Sequence, residues 1–282
     1  NMNNPSKDKT RIRLGADIGG TFTDIVLEKN SEYFSSKVLT TTDFPETGIL
    51  KGIIQVAEQA KIKPKSISQI IHGTTLATNT LIERTGAKTA LITTKGFRDV
   101  IEMRTESRFE QYDLNLTLPL PLISRQHRYV LNERVSANGH ILIHIKKSEI
   151  VKLIKTLSNQ GYQSIAVGLI HSYANDSHEK YLKKILTKYL PNTMISISSE
   201  VSPQMREYER FNTVCANAYI KPLMKTYLIR LQKELIKQQI ICPIFLMHSG
   251  GGIISLESAA EFPVRLIESG PAGGAVFAAK IA

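Results

Sequence analysis

Across 282 residues the chain holds only two cysteines and no tryptophan. Cys215 and Cys242 lie far apart, in neither a Cys-x-x-Cys pair nor a zinc-ligand spacing. That excludes a disulfide framework and fits a reducing cytoplasm. No apolar run approaches the length of a membrane span and nothing resembles a signal peptide, so neither membrane insertion nor export is expected. Two common nucleotide signatures are also missing. There is no Gly-x-Gly-x-x-Gly after a strand and no Gly-x-x-x-x-Gly-Lys-Ser/Thr.

Acidic residues are in short supply as well: 36 Lys and Arg stand against 25 Asp and Glu, a net charge of +11. Such an excess suits nucleic acid, an anionic nucleotide, or a solvated lysine-rich surface. The lysines are scattered and the aromatics follow no nucleic-acid motif, so no nucleic-acid partner is expected. With 42% hydrophobic and 22% charged residues the chain belongs to the soluble globular class, and it is long enough for two domains with a substantial core.

The most informative stretch is Leu14 to Asp24, Leu-Gly-Ala-Asp-Ile-Gly-Gly-Thr-Phe-Thr-Asp. β-like runs flank it, so Gly19, Gly20 and Thr21 form a tight hairpin turn. Adjacent glycines let backbone N–H groups approach a phosphate, and Thr21 and Thr23 add hydroxyls. Asp17 stands where a carboxylate would hold Mg²⁺ against that phosphate. Gly-Gly alone fits an ordinary hairpin better; Asp17 before it and Thr-x-Thr-Asp after it favour an anion site.

Beyond the hairpin the chain reads as a third strand (33–39), a helix (46–60), a strand (69–72), a helix from Thr74 and a strand (87–93). Three strands followed by alternating helix and strand fit a ribonuclease-H-like lobe better than an all-parallel dinucleotide-binding unit. Residues 102–126 lose all periodicity, in a stretch long enough to suggest a functional loop. A hairpin around Ala137-Asn138-Gly139 and two helix–strand units follow. The helical tract 207–239 is expected to bend or break before Pro222. Strands at 244–247 and 264–267 enclose the turn Ser249–Gly252 and a short helix. Residues 1–10, polar and proline-containing, are expected to be a disordered leader.

His72-Gly73-Thr74-Thr75 stands at a strand-to-helix junction, with Asn79 one turn on. Free N–H groups at a helix start, together with these hydroxyls, suit an anion or a polarised carbonyl oxygen. A threonine cap beside a satisfied histidine accounts for the same residues. In the irregular loop, Arg104 and Arg108 suit bidentate pairing with phosphate or carboxylate, or form a solvated surface.

The wording Gly-x-Asp-x-Gly-Gly-Thr-Phe-Thr-Asp resembles the first phosphate loop of the actin-like ATPase superfamily, and within it the hydantoinase A/5-oxoprolinase family. His-Gly-Thr-Thr-x-x-x-Asn is a second hallmark of that family. The resemblance covers nearly all of residues 11–282. It implies an α/β chain: a ribonuclease-H-like lobe with a mixed sheet and flanking helices over 11–200, then a mostly helical start of the hydantoinase A domain over 201–282. It implies an ATP- and Mg²⁺-dependent cyclic amide hydrolase that phosphorylates and opens a lactam or hydantoin. In that enzyme Gly19, Gly20, Thr21, Phe22 and Thr23 hold phosphate, Asp17 holds Mg²⁺, and His72, Thr74 and Thr75 face the phosphate or the substrate carbonyl. Gly73, Asn79, Arg104 and Arg108 take the substrate side. The implied partners are a B-type subunit or domain and further copies in an oligomer, in the cytoplasm. The family's second Asp-x-Gly-Gly-Thr loop is expected beyond Ala282, making the chain part of a longer protein or a degenerate one. An ATP-driven carboxylase subunit, a small-molecule kinase and a non-catalytic binding remnant are the alternatives on the same fold.

Overall fold

The computed structural model describes residues 11–41, 43–104 and 120–267. The expected leader, Arg108 with the rest of the loop through residue 119, and the small-residue segment from Glu268 lie outside the described residues.

In chain order the elements are β1 (Ile12–Ile18), β2 (Phe22–Lys29), β3 (Glu32–Leu39), α1 (Pro45–Gln59), β4 (Gln69–Thr74), α2 (Leu76–Ile82), β5 (Thr89–Thr94) and α3 (Val100–Met103). Next come β6 (Arg128–Leu131), β7 (Arg134–Val135), β8 (Ile141–Ile143), α4 (Lys147–Ser158), β9 (Ser164–Gly168), α5 (Ser177–Tyr189), β10 (Met194–Ile197) and α6 (Ser198–Val201). The last are α7 (Glu207–Lys237), β11 (Ile244–Met247), β12 (Ile253–Ser255) and α8 (Leu256–Glu261). They form two compact units, one of residues 11–82 with 224–267 and the other of 83–223. These units divide the chain differently from the linear division at residue 200.

The first unit is built on a mixed sheet in the order β12-β11-β4-β1-β2-β3. Strict alternation makes β1: Ile12, Leu14, Ala16 and Ile18 are buried, while Arg13 on the other face donates two hydrogen bonds to Glu28 of β2. β1, β2 and β3 are antiparallel neighbours; β4 and β11 run parallel to β1. Pro45 opens α1, where its missing N–H costs nothing, and Ile49, Ile53 and Val56 repeat at helical spacing into the core.

The second unit carries an all-parallel sheet in the order β10-β9-β5-β6. Its central strands, Thr-Ala-Leu-Ile-Thr-Thr and Ser-Ile-Ala-Val-Gly, are buried at every residue, as parallel strands covered on both faces must be. One face packs on α4 and α5 through Ile150, Leu153, Leu157, Leu182 and Leu186. On the other, the first half of α7 lays Phe211 over Gly168, Asn217 donates to Ser196 and Lys221 to the Ile195 carbonyl. Arg210, fully buried, donates to the Leu169 and Gln204 carbonyls, and Glu179 accepts from the Leu169 and Ser199 N–H groups. Both are structural ties at the carboxyl ends of β9 and β10.

Of the two outcomes expected at Pro222, bend or break, the break does not occur: α7 is one helix of 31 residues that includes Pro222. A proline removes a single backbone donor, and here buried residues on either side, Ala218, Ile220, Met224 and Leu228, hold the helix in place. Residues 264–267 are not a strand: Pro263–Leu266 is a 3₁₀ turn, opened by the fixed φ of Pro263 and anchored by buried Leu266.

Candidate active site

Because β1, β4 and β11 are parallel neighbours, their carboxyl ends share one edge of the first unit's sheet. Three loops leave from that edge: residues 19–21 after β1, Thr75 after β4, and 248–252 after β11. In open α/β sheets such an edge is where ligands bind.

The first loop is closed by the Gly19 N–H donating to the Phe22 carbonyl at 2.9 Å. Thr40, just past β3, ties it down. Its N–H donates to the Thr21 carbonyl at 2.9 Å and its hydroxyl to the Gly19 carbonyl at 3.0 Å. Since that uses the only hydroxyl hydrogen of Thr40, the 3.0 Å contact between the two threonine oxygens has Thr23 as donor. Thr23 is therefore fully buried and spends its hydroxyl on the shape of the turn, while Gly20, Thr21 and Phe22 are exposed.

Asp17 stands one residue before the end of β1, beside Asp24 of β2 and Gly73 of β4. Its Oδ1 is buried and has no hydrogen-bond partner among the described residues. Burial, and next the nearby Asp24 carboxylate, push its carboxyl above the usual range. A β-carbon at Gly73 would lie 2.8 Å from Oδ1, so the missing side chain there leaves this oxygen its present position. A hard cation is what an orphaned carboxylate oxygen lacks, and the position fits Mg²⁺, which takes one or two carboxylates and completes its shell with water and phosphate oxygens. Among the described residues no cluster of three or more His, Cys, Asp or Glu side chains forms a metal site.

On β4, Thr74 Oγ1 accepts the Leu76 N–H at 3.1 Å and so caps α2. The N–H and hydroxyl of Thr75 both reach the Ile18 carbonyl at 3.2 Å, joining this loop to β1, and Asn79 Nδ2 donates to Thr75 at 3.4 Å. His72 is fully buried, with Nδ1 3.1 Å from the Ala16 carbonyl and Nε2 2.7 Å from the Tyr227 hydroxyl. A carbonyl only accepts, so Nδ1 carries the hydrogen and Nε2 accepts from Tyr227. Burial lowers the ring to about 4, which keeps it neutral. This differs from the expectation that His72 face the phosphate: both ring nitrogens are engaged inside the core. Arg104 belongs to the second unit, where it ends α3 with a positive φ of 60°.

Three further residues shape this edge. Thr40 and Tyr227 carried no sequence signal, since each acts through a contact far along the chain. His248 had one: a histidine directly before Ser-Gly-Gly-Gly. Its Nδ1 accepts the Gly250 N–H at 3.0 Å, which leaves the ring hydrogen on Nε2. β-Carbons at Gly250 and Gly252 would come within 2.8 and 2.6 Å of the imidazole, so the turn wraps the ring and fixes it.

A ribonuclease-H-like sheet with phosphate-type loops on its carboxyl edge defines an actin-like ATPase lobe. Within that class the chain belongs to the hydantoinase/oxoprolinase family. The family model for the hydantoinase/oxoprolinase N-terminal region matches residues 13–190, and that for hydantoinase/oxoprolinase matches 210–282. An uncharacterized protein of Methanocaldococcus jannaschii is 40% identical over 269 residues, covering 94% of this chain and 39% of its own length. Caprolactamase subunit alpha of Pseudomonas jessenii is 33% identical over 276 residues, with the same coverages of 94% and 39%. The solved ATP-dependent caprolactamase from that organism superposes with a TM-score of 0.84 at 31% identity, over 92% of this chain and 39% of that one. A nucleotide-free acetone carboxylase reaches a TM-score of 0.85 at 22% identity, over 96% and 41%, and shares the fold. The chain thus spans about two fifths of the length of these relatives.

Proposed function

We propose that this chain is the N-terminal part of an ATP-dependent enzyme that phosphorylates and opens a lactam or cyclic imide. The observation that carries the reading is Asp17 Oδ1, buried without a partner among the described residues at the carboxyl edge of the sheet, in the gap that Gly73 leaves. Bound Mg-ATP would supply the phosphoryl group that makes an inert amide carbonyl open to attack by water.

The residues present divide that task. Asp17 holds the cation, and Gly19, Gly20 and Thr21, with Phe22 and Thr23 behind them, present the turn to phosphate oxygens. Gly73, Thr74, Thr75 and Asn79 border the substrate side, with His72 holding β4 against β1 from within. The names of the relatives, an ATP-dependent caprolactamase and its alpha subunit, support a lactam substrate and a partner subunit, which we take to be of the B type. No described helix is long and apolar enough to cross a membrane, and two free cysteines fit the cytoplasm as its place.

The test is the melting temperature of the chain titrated with Mg-ATP. A ligand at about a hundred times its dissociation constant adds roughly 2.7 kcal/mol. The expected result is a rise that needs Mg²⁺ and vanishes in Asp17→Asn. Together with a B-type subunit, the protein should hydrolyse ATP faster when a lactam is present. A rise indifferent to Mg²⁺ and to Asp17 would overturn the assignment of Asp17.

A further inference from the structure

On the second unit, α4 and α5 cover the same face of the parallel sheet and leave a trough of about 510 Å³ between them. One bank is α5, where Tyr181, Ile185 and Tyr189 repeat every four residues; the other is α4, with Val151 and Ile154. Ile154, Tyr181 and Ile185 are half-buried against the core below, and Val151 and Tyr189 are exposed at 66% and 57%. The walls are thus apolar, continuous and open to solvent, more than scattered surface side chains provide.

The charges around the trough are of one sign. Lys147 lines it from α4, Lys184 and Lys188 from α5, and no carboxylate lines it. Other lysines of α5 have anionic partners: Lys180 pairs with Asp176 at 2.8 Å and Lys183 with Glu200. Among the described residues the three lysines of the trough make no ion pair; Lys188 only rests against the Tyr189 ring at 5.4 Å. The helix face is therefore split, with compensated cations away from the trough and uncompensated ones along it.

These features select an occupant. The trough is walled by side chains of two helices and offers no strand edge, so an extended segment laid in it would gain no main-chain partners from it. A helix satisfies its own. Its apolar side chains, at i, i+3 or i+4 and i+7, would fill the trough, and carboxylates on its flanks would meet the lysines. We propose that this trough is a docking site for an acidic amphipathic helix of a partner protein. The inference stands apart from the nucleotide reading, since it uses no residue of that site.

The probe is a stapled, fluorescein-labelled helical peptide with leucines on one face and glutamates on both flanks, titrated into the protein at low salt. Saturable binding is expected, weakened about tenfold in Lys184→Glu/Lys188→Glu. A peptide with lysine flanks should show the reverse preference, binding the double variant and not the wild type. Val151→Asp, at an exposed position, should abolish binding by both peptides while the melting temperature stays unchanged. Equal affinity for the wild type and the double variant would overturn the proposal. So would binding to phosphatidylserine vesicles that the glutamate-flanked peptide does not displace, which would make the face a membrane surface.

Discussion

The imidazole of His72 and the hydroxyl of Tyr227 meet at 2.7 Å in the core of the first unit, both at most 1% exposed. The contact fixes the histidine tautomer, and through Nδ1 it reaches the Ala16 carbonyl, the peptide directly before Asp17. Helix α7 is thereby joined to the end of β1 by way of a ring that belongs to β4.

Tyr227→Phe keeps the ring stacking and removes only the donor, leaving Nε2 a buried acceptor without a partner. Such a group costs about 1–3 kcal/mol. Urea unfolding of the variant should show a loss in that range. A loss below about 0.5 kcal/mol would mean that Nε2 finds another donor.

The pH dependence follows from the same ring. His72 is lowered from 6.5 unfolded to about 4 folded, so between those values the unfolded chain binds more protons. Its contribution to stability is complete above about pH 6.5 and is lost as pH falls towards 4, by up to roughly 3 kcal/mol. Comparing the wild type with His72→Gln across this window isolates the effect from other titrating groups. The difference in stability between them should shrink as pH falls; a constant difference would contradict the buried neutral ring.

Asp17 has the opposite sign. Burial and Asp24 raise its carboxyl in the folded state, so ionising it at neutral pH opposes folding. Asp17→Asn should therefore melt at pH 7 no lower than the wild type, and the advantage should fade below the ordinary carboxylate range. The same variant should lose the Mg-ATP shift. Gain of stability with loss of ligand response is the expected pair, and a plain destabilisation would contradict it.

For His248 the observable is spectroscopic. Long-range ¹H–¹⁵N correlation should show the ring hydrogen on Nε2 and the Gly250 amide shifted downfield by its bond to Nδ1. In Gly252→Ala the new methyl would lie 2.6 Å from Nε2, so the ring should leave this position and the correlation pattern change. An unchanged spectrum would mean the ring does not occupy the turn.

Much of this was legible in the sequence because it is local. Alternation marked β1, the Gly-Gly turn marked the hairpin, and β11 appears with the bounds 244–247 that its apolar run suggests. Asp17 and Gly73 each stand in a legible motif, but their contact does not, because adjacency of β1 and β4 is a property of strand order. His72 and Tyr227 are 155 residues apart, and nothing in the spacing of either points to the other. The Thr23 hydroxyl makes its contact with Thr40, on the far side of β3, a pairing equally invisible in the spacing. The continuous helix through Pro222 and the 3₁₀ turn at Pro263–Leu266 depend on the packing around them, which the local pattern does not contain.

The double tie from Thr40 to the turn at residues 19–21 bears on the thermodynamics of any anion that binds there. A glycine-rich loop that is loose until a ligand arrives must surrender backbone entropy at that moment, which offsets part of the contact energy. Here the carbonyls of Gly19 and Thr21 are already held by one residue, so the ordering cost falls on folding and not on binding. The site is preorganised, and removing the Thr40 hydroxyl would transfer that cost to the ligand.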